Sequence, residues 1–506
     1  GLLSIVAFVW GASSLASYFY RRAEKAAPQI SLLSRVAVLV AGAICIGLCL
    51  FGIRGRMGYN PIKVSQAYYC EDPFLNQLGV NPVFNLLTST LDDNRKENRT
   101  LHLMSEEDAL SKVQKYLHRQ GIDRLSPIAR KVEREGTPNR RNVVLVFMES
   151  MSANLMGTFG SDKKLTPYLD SLYQQSLSFS HFYSSGIHTN HGIYSTLYSF
   201  PAIMKRNAMK GSVIPVYSGL PTVLQENGYC NLFFMTHESQ YDNMNAFLRT
   251  NGFDEIYAQE NYPSEKVVNS FGVQDDFMYQ YALPILNERA GTGNPFFSVL
   301  LSISNHPPYV IPPYFHPHSD VLEEQIVEYA DWSIRQFMQA AEKQPWFDNT
   351  IFVFLGDHGK MVGTPECEMP QSYNHIPLMI YGKDIKPGVY DGFGGQVDVS
   401  PTLLGLLNIS YLQNNFGVNL LEEERPCMFF TADNLIGARD SVNMFIYSPD
   451  SQQEFKYKLE EGKLHAATGT DEEAFRNLKD YCFSMLQSTE SLVKEHKTLD
   501  KVSVKK

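Results

Sequence analysis

The chain opens on two long apolar runs, residues 1–20 and 36–53. Each approaches the length of about 20 residues that a helix needs to cross a hydrocarbon core. Between them Arg21, Arg22, Lys25 and Arg35 stand against a lone acid, Glu24. The positive-inside rule holds such a short basic loop in the cytoplasm, so the second helix runs outward and the chain beyond it is delivered to the extracytoplasmic side. Residues 1–56 are therefore expected to be transmembrane helices. Because the chain starts without Met and inside an apolar run, earlier helices are expected to be missing and the anchor to be multi-pass. A buried helical hairpin of a soluble protein is the rival reading, and two long runs around a basic loop count against it.

Past this anchor the pattern changes twice. Residues 57–140 read as a juxtamembrane connector. Within it 105–121 predicts an amphipathic helix, with Ser105 as N-cap, Glu106, Glu107 and Asp108 in the first turn and Gly121 as the stop. From Asn142 short apolar runs alternate with helical segments. Residues 142–148, 230–236, 296–303, 350–356 and 377–382 predict strands, and their unbroken apolarity is that of strands covered on both faces. The predicted helices are 166–176, 219–228, 322–343 and 399–408. This alternation implies an α/β catalytic domain over 141–424, a mainly parallel sheet flanked by helices. After residue 425 the segments are shorter and more polar, with a hairpin over 443–467 and a final helix over 471–494. They predict a small C-terminal α+β subdomain over 425–506.

Composition narrows the function. The 506 residues are 44% apolar and 19% charged, and 44 Lys+Arg against 54 Asp+Glu leave a net charge of −10. Such a chain offers no basic face to displace counterions from phosphates, so no nucleic-acid partner is expected. Seven widely spaced Cys without a CxxC pair make neither a disulfide scaffold nor a structural zinc site.

Ligands of open α/β sheets gather at the carboxyl ends of strands, so the residues after each apolar run carry the chemistry. Glu149 and Ser150 follow the first run, Thr189 follows FSHFYSSGIH, His237 and His306 follow the second and third, and Asp357 and His358 follow the fourth. Two carboxylates, a hydroxyl and imidazoles on one edge suit a divalent cation such as Mn²⁺, Mg²⁺ or Zn²⁺. A threonine hydroxyl held by that cation is also a nucleophile. Singly, each group reads as readily as a helix cap or a turn; their joint arrangement carries the reading. His188 and His191 beside Thr189 read as wall residues. The run Arg130, Lys131, Arg134, Arg140, Arg141 reads as a solvated face or a contact with anionic head groups.

At these residues the sequence resembles a family, the lipoteichoic acid synthase-like phosphoglycerol transferases of the alkaline phosphatase and sulfatase superfamily. The resemblance rests on VVLVFMES (143–150), LTPYLDSL (165–172), SSGIHTNHGIYSTL (184–197), NAFLRTNGFDEIY (245–257), SISNHPPY (302–309), FLGDHGK (354–360) and YNHIPLMIYG (373–382). It implies an alkaline phosphatase-like fold with a membrane anchor. It also implies Glu149, Thr189, Asp357 and His358 as metal ligands, Mn²⁺ first, with Thr189 the nucleophile that takes up the head group. His237, His306 and Arg249 match substrate-binding positions, with His306 also the proton donor and acceptor. His375 matches a histidine that binds substrate or a second metal in relatives. The implied partners are a phosphatidylglycerol-like phospholipid donor, a glycan or polyol-phosphate acceptor and the membrane.

Three rivals remain at this level. A sulfatase needs a formylglycine from Cys or Ser in C/S-x-P-x-R, and the sequence reads His188-Thr189-Asn190-His191-Gly192. A phosphoethanolamine transferase or a phosphodiesterase would use the same core residues. A non-catalytic membrane-tethered binding protein would have shed them.

Overall fold

The computed structural model describes residues 10–11, 13–18, 20–22, 32–57, 60–70, 73–95, 98, 100–122, 125–211, 214–460, 462–467 and 472–499. The chain divides into two units, Gly1–Lys63 and Val64–Lys506. In the first, the helix Leu32–Arg54 has none of its residues buried and is the described helix long and apolar enough to cross a membrane. It starts four residues ahead of the predicted 36–53 run. Most of the first predicted span, 1–20, lies outside the described residues, so one crossing of the expected multi-pass anchor is described.

The second unit is organised by an eight-stranded sheet. Its strands are β2 (Asn142–Met148), β3 (Leu177–Tyr183), β4 (Cys230–Met235), β5 (Glu255–Tyr257), β6 (Phe296–Leu301), β7 (Thr350–Gly356), β8 (Leu378–Tyr381) and β9 (Gly388–Gly395). Their order across the sheet is β5-β4-β6-β2-β7-β8-β3-β9. All neighbours run parallel except β8, which is antiparallel to both β7 and β3. The sheet is mainly parallel, as predicted, and is mixed through β8 alone. A ribbon of β1 (Arg130–Val132) and β10 (Tyr411–Gln413) lies apart from it.

The central strands are apolar at every position because both faces are covered, and successive side chains serve different cores. Val143, Leu145, Phe147, Ile351, Val353 and Leu355 join one cluster. Val144, Val146, Met148, Phe352 and Phe354 join the other. Helices Thr189–Tyr198, Met244–Thr250 and Val399–Leu406 build the first core; Pro167–Gln175, Asp275–Ala290 and Leu322–Ala341 build the second.

The connector helix is Glu106–Tyr116, with the Ser105 hydroxyl accepting from the Asp108 amide at 3.1 Å. It ends ahead of Gly121, which sits in the following turn at φ +78°. Its buried Ala109 and Val113 pack towards the last helix, Glu472–Lys494, and Tyr116 meets Tyr481 edge-on at 5.0 Å. That last helix covers an antiparallel sheet of β11 (Met428–Thr431), β12 (Ile436–Arg439), β13 (Asn443–Ser448), β14 (Gln453–Glu460) and β15 (Lys463–Ala466), paired in chain order. Arg425 fastens the start of this region. Its buried guanidinium donates to both Asp398 oxygens, at 2.7 and 2.6 Å, and to the Tyr481 hydroxyl at 3.2 Å.

Candidate active site and metal centre

Glu149 is the first residue beyond β2 and Asp357 the first beyond β7. The two strands are parallel neighbours in register from Asn142 opposite Thr350 to Met148 opposite Gly356, so pairing alone brings both carboxylates to the same edge. Both are buried. Asp357 Oδ1 accepts from the amides of Ser150 and His358, at 2.8 and 2.7 Å. Ser150 takes a positive φ of 50° and its hydroxyl donates to Glu149 Oε1 at 2.7 Å. His358 Nδ1 donates to the Gly359 carbonyl at 2.8 Å. That tautomer leaves Nε2 bare, 3.5 Å from Asp357 Oδ2 and 3.8 Å from Glu149 Oε1.

Thr189 opens the helix Thr189–Tyr198 and its hydroxyl donates to Glu149 Oε2 at 3.4 Å. The helix reaches the carboxylates through Gly192, where a Cβ would stand 2.3 Å from the Asp357 carbonyl oxygen. Gln396 locks the two loops together. Its Nε2 donates to the Asp357 carbonyl at 2.7 Å, and its Oε1 accepts from the Ser185 amide at 3.0 Å. At the level of sequence Gly192 is quoted without a role and Gln396 is not reached. Gly192 sits inside the nucleophile motif; Gln396 carries no sequence signal.

Electrostatics favour a cation here. Burial, and then the charge of Asp357, hold the Glu149 carboxyl well above its ordinary range. Asp357 Oδ2 is buried without a hydrogen-bond partner. Two facing carboxylates, an orphaned oxygen and a bare imidazole nitrogen are the donor set a divalent metal satisfies. Glu149, Asp357 and His358 place one ligand atom each within 4.8 Å of the others.

An aromatic row flanks this centre. His306 lies 4.2 Å from the Phe271 ring, Phe271 6.0 Å from Tyr241, and Tyr241 4.7 Å from His237, centroid to centroid. Burial lowers the pKa of both histidines, that of His237 to about 4. Each donates Nδ1–H to a backbone carbonyl, Glu238 at 3.0 Å and Pro307 at 2.6 Å, which leaves both Nε2 atoms as acceptors. Arg249 is held otherwise: its Nε donates to Asn245 Oδ1 at 3.0 Å on the same helix. His375 lies in an aromatic box. Its Nε2 donates to the Ser180 carbonyl at 2.9 Å, Tyr183 stacks on it at 5.2 Å and Phe159 meets it edge-on. That tautomer leaves Nδ1 as the ring atom open to a substrate or a second metal.

Three neighbours, Lys360, Asn305 and Asp433, carry no role in the sequence analysis. Lys360 Nζ donates to Asn305 Oδ1 at 2.6 Å, and Asn305 in turn donates to the carbonyls of Glu149 and Ser150. His188 Nε2 lies 2.6 Å from Asp433, which reaches in from the turn between β11 and β12.

A family model described as Sulfatase matches residues 141–409. The chain belongs to the sulfatase family. Over 362 residues this sulfatase-family chain is 25% identical to the lipoteichoic acid synthase-like protein YvgJ of Bacillus subtilis, a match covering 65% of this chain and 56% of that protein. The chain thus spans about half the length of the curated relatives it matches. A protein in the alkaline phosphatase superfamily from Vibrio parahaemolyticus superposes with a TM-score of 0.72 at 24% identity, covering 80% of this chain and 99% of that one. The lipoteichoic acid synthase LtaP from Listeria monocytogenes gives 0.61 at 22% identity, covering 76% and 98%. These superpositions identify the fold of this sulfatase-family chain as alkaline phosphatase-like.

Proposed function

We propose that the protein is a membrane-anchored, metal-dependent transferase that moves a phosphoglycerol head group from a phosphatidylglycerol-like lipid to an extracytoplasmic glycan or polyol-phosphate acceptor. The observation that carries this is the position of Thr189, at a helix N-terminus with its hydroxyl on Glu149, the carboxylate that clusters with Asp357 and His358. Threonine cannot become the formylglycine of a sulfate-ester hydrolase, whereas its hydroxyl can carry a phosphoryl group. Relatives named lipoteichoic acid synthases add weight to the same reading.

Glu149, Thr189, Asp357 and His358 would hold the metal, Mn²⁺ first and Mg²⁺ or Zn²⁺ as alternatives. When bound, the cation supplies positive charge against the phosphate oxygens and favours the ionised threonine hydroxyl. Thr189 Oγ1 forms a bond to phosphorus as the phosphorus–oxygen bond to diacylglycerol breaks. The N-terminus of its helix favours the anion. His306, neutral at rest with a bare Nε2, takes up a proton there, gives it to the leaving oxygen, and takes one from the acceptor hydroxyl in the second half-reaction. His237, neutral at pH 7, offers a bare Nε2 that suits a glycerol hydroxyl better than a phosphate oxygen. Arg249 supplies positive charge for the phosphate if its side chain swings from Asn245.

Peptide mass spectrometry after incubation with phosphatidylglycerol and Mn²⁺ tests this. The expected result is a glycerophosphate adduct on Thr189, absent from Thr189→Ala. A phosphoethanolamine adduct formed instead with phosphatidylethanolamine would reassign the donor. No adduct with either lipid, in protein with bound metal, would sink the covalent scheme.

A further inference from the structure

The helix Pro82–Asp93 stands apart from the other long helices of the Val64–Lys506 unit, because none of its described side chains is buried. It is nevertheless amphipathic. At about 100° per residue, Val83, Phe84, Leu86, Leu87 and Leu91 fall on one side and Asn85, Thr88 and Ser89 on the other. The apolar side faces outward: Val83 is 67% exposed, Leu86 65%, Leu87 60% and Leu91 67%. Thr90, the polar residue within that side, has its hydroxyl satisfied by the Leu86 carbonyl at 2.7 Å, so it places no unmet polar group among the leucines. Leu78, at the end of the preceding helix Pro73–Leu78, extends the surface and is 69% exposed.

We infer that this face rests on a lipid bilayer, with the helix Pro82–Asp93 lying along the headgroup boundary and Val83, Leu86, Leu87 and Leu91 turned towards the acyl chains. Two features select lipid over a protein partner. The chain reaches Pro82 shortly after leaving Leu32–Arg54, the helix able to cross a membrane, so the segment is tethered near any bilayer that helix enters. The other side of the helix is polar, as an interfacial helix requires. The inference rests on the membrane reading of Leu32–Arg54 and deepens the proposed function, since it brings the unit carrying Thr189 to the surface that holds its lipid donor.

The test uses the full chain in phosphatidylcholine–phosphatidylglycerol liposomes whose acyl chains carry bromine, a short-range quencher of tryptophan. Three variants are compared with the parent, which contributes Trp10, Trp332 and Trp346. Val40→Trp reports the spanning helix, Leu87→Trp the apolar side and Ser89→Trp the polar side. Leu87→Trp is expected to lose about twofold more of its added fluorescence than Ser89→Trp, as for a helix buried on one side only. Quenching of Val40→Trp without any excess for Leu87→Trp over Ser89→Trp would overturn the inference and leave the anchor intact. An unquenched Val40→Trp would remove the anchor and the inference together. A blue shift of Leu87→Trp that grows with protein concentration and resists bromine would assign the face to a second copy instead.

Discussion

In the eight-stranded sheet β2 and β7 are buried at every position, whereas in the five-stranded sheet β14 is buried at none. A strand covered on both faces has no place for charge along its length, because an unpaired buried charge is prohibitively costly. Charge enters only where such a strand stops, and there Glu149 and Asp357 stand. In the C-terminal sheet β14 is free of that restriction and carries Glu454, Lys456 and Lys458 along its length. The sheet's contribution to the site comes from a strand end and a turn. The Thr431 amide donates to the Ser185 carbonyl at 2.8 Å, and Asp433 meets His188 at 2.6 Å. One sheet thus presents Glu149 and Asp357, and the other braces the loop that leads to Thr189.

The sharpest way to break this contrast is at the strand ends. Thr189→Ala should lower head-group transfer by about a thousandfold or more, since it removes the proposed nucleophile, while circular dichroism and unfolding stay those of the parent. Turnover near the parent level would reject the assignment. Asp357→Asn should weaken metal binding by more than the roughly tenfold typical of an outer-shell partner, read by elemental analysis after dialysis. Undiminished metal would remove Asp357 from the ligand set.

Bracing is tested next. Arg425→Ala leaves Asp398 buried without its cation, and losing one partner of a buried pair costs about 3–5 kcal/mol. Denaturant unfolding should show that loss, with Arg425→Lys recovering part of it through one remaining contact. A smaller effect is expected from Asp433→Ala. Freed from its carboxylate, His188 loosens the start of the helix Thr189–Tyr198, and turnover should fall about tenfold, or 1.4 kcal/mol. Metal content should stay unchanged. Unaltered turnover would show that the C-terminal sheet contributes stability alone.

The same physics decides what the sequence made legible. The runs that became β2, β4, β6 and β7 were visible because burial on two faces demands unbroken apolarity. β3 escaped because Ser178, Ser180 and His181 interrupt a strand that is only partly covered, and β9 because its glycines and half-exposed edge carry no such run. The helix Asp275–Ala290 was hidden by Asp275, Asp276 and Pro284. Glu149, Asp357 and His358 could be found because they follow legible strands. Gln396 and Asp433 could not, because they arrive from distant segments whose polar composition looks like any other turn.

The finest test concerns a charge admitted at a helix end. Asp331, on Leu322–Ala341, accepts from the amides of Tyr168 and Leu169 at 3.1 and 2.8 Å. It thereby caps the first turn of Pro167–Gln175, where Thr166 makes no side-chain cap. Burial outweighs those hydrogen bonds and pushes its carboxyl up to about 7. The folded state therefore holds this proton more tightly than the unfolded chain does, whose aspartate titrates near about 4. Between those values stability falls as pH rises; the contribution is full below the lower one and gone above the upper. Asp331→Asn keeps an acceptor oxygen for the helix and has no proton to lose, so its stability should decline less steeply from pH 5 to pH 7, by up to about 1.4 kcal/mol per pH unit. Urea unfolding of both proteins at pH 5, 6, 7 and 8 measures the two slopes. Equal slopes would mean that Asp331 is ionised throughout, and that the helix terminus accommodates a buried charge as readily as the strand ends at Glu149 and Asp357.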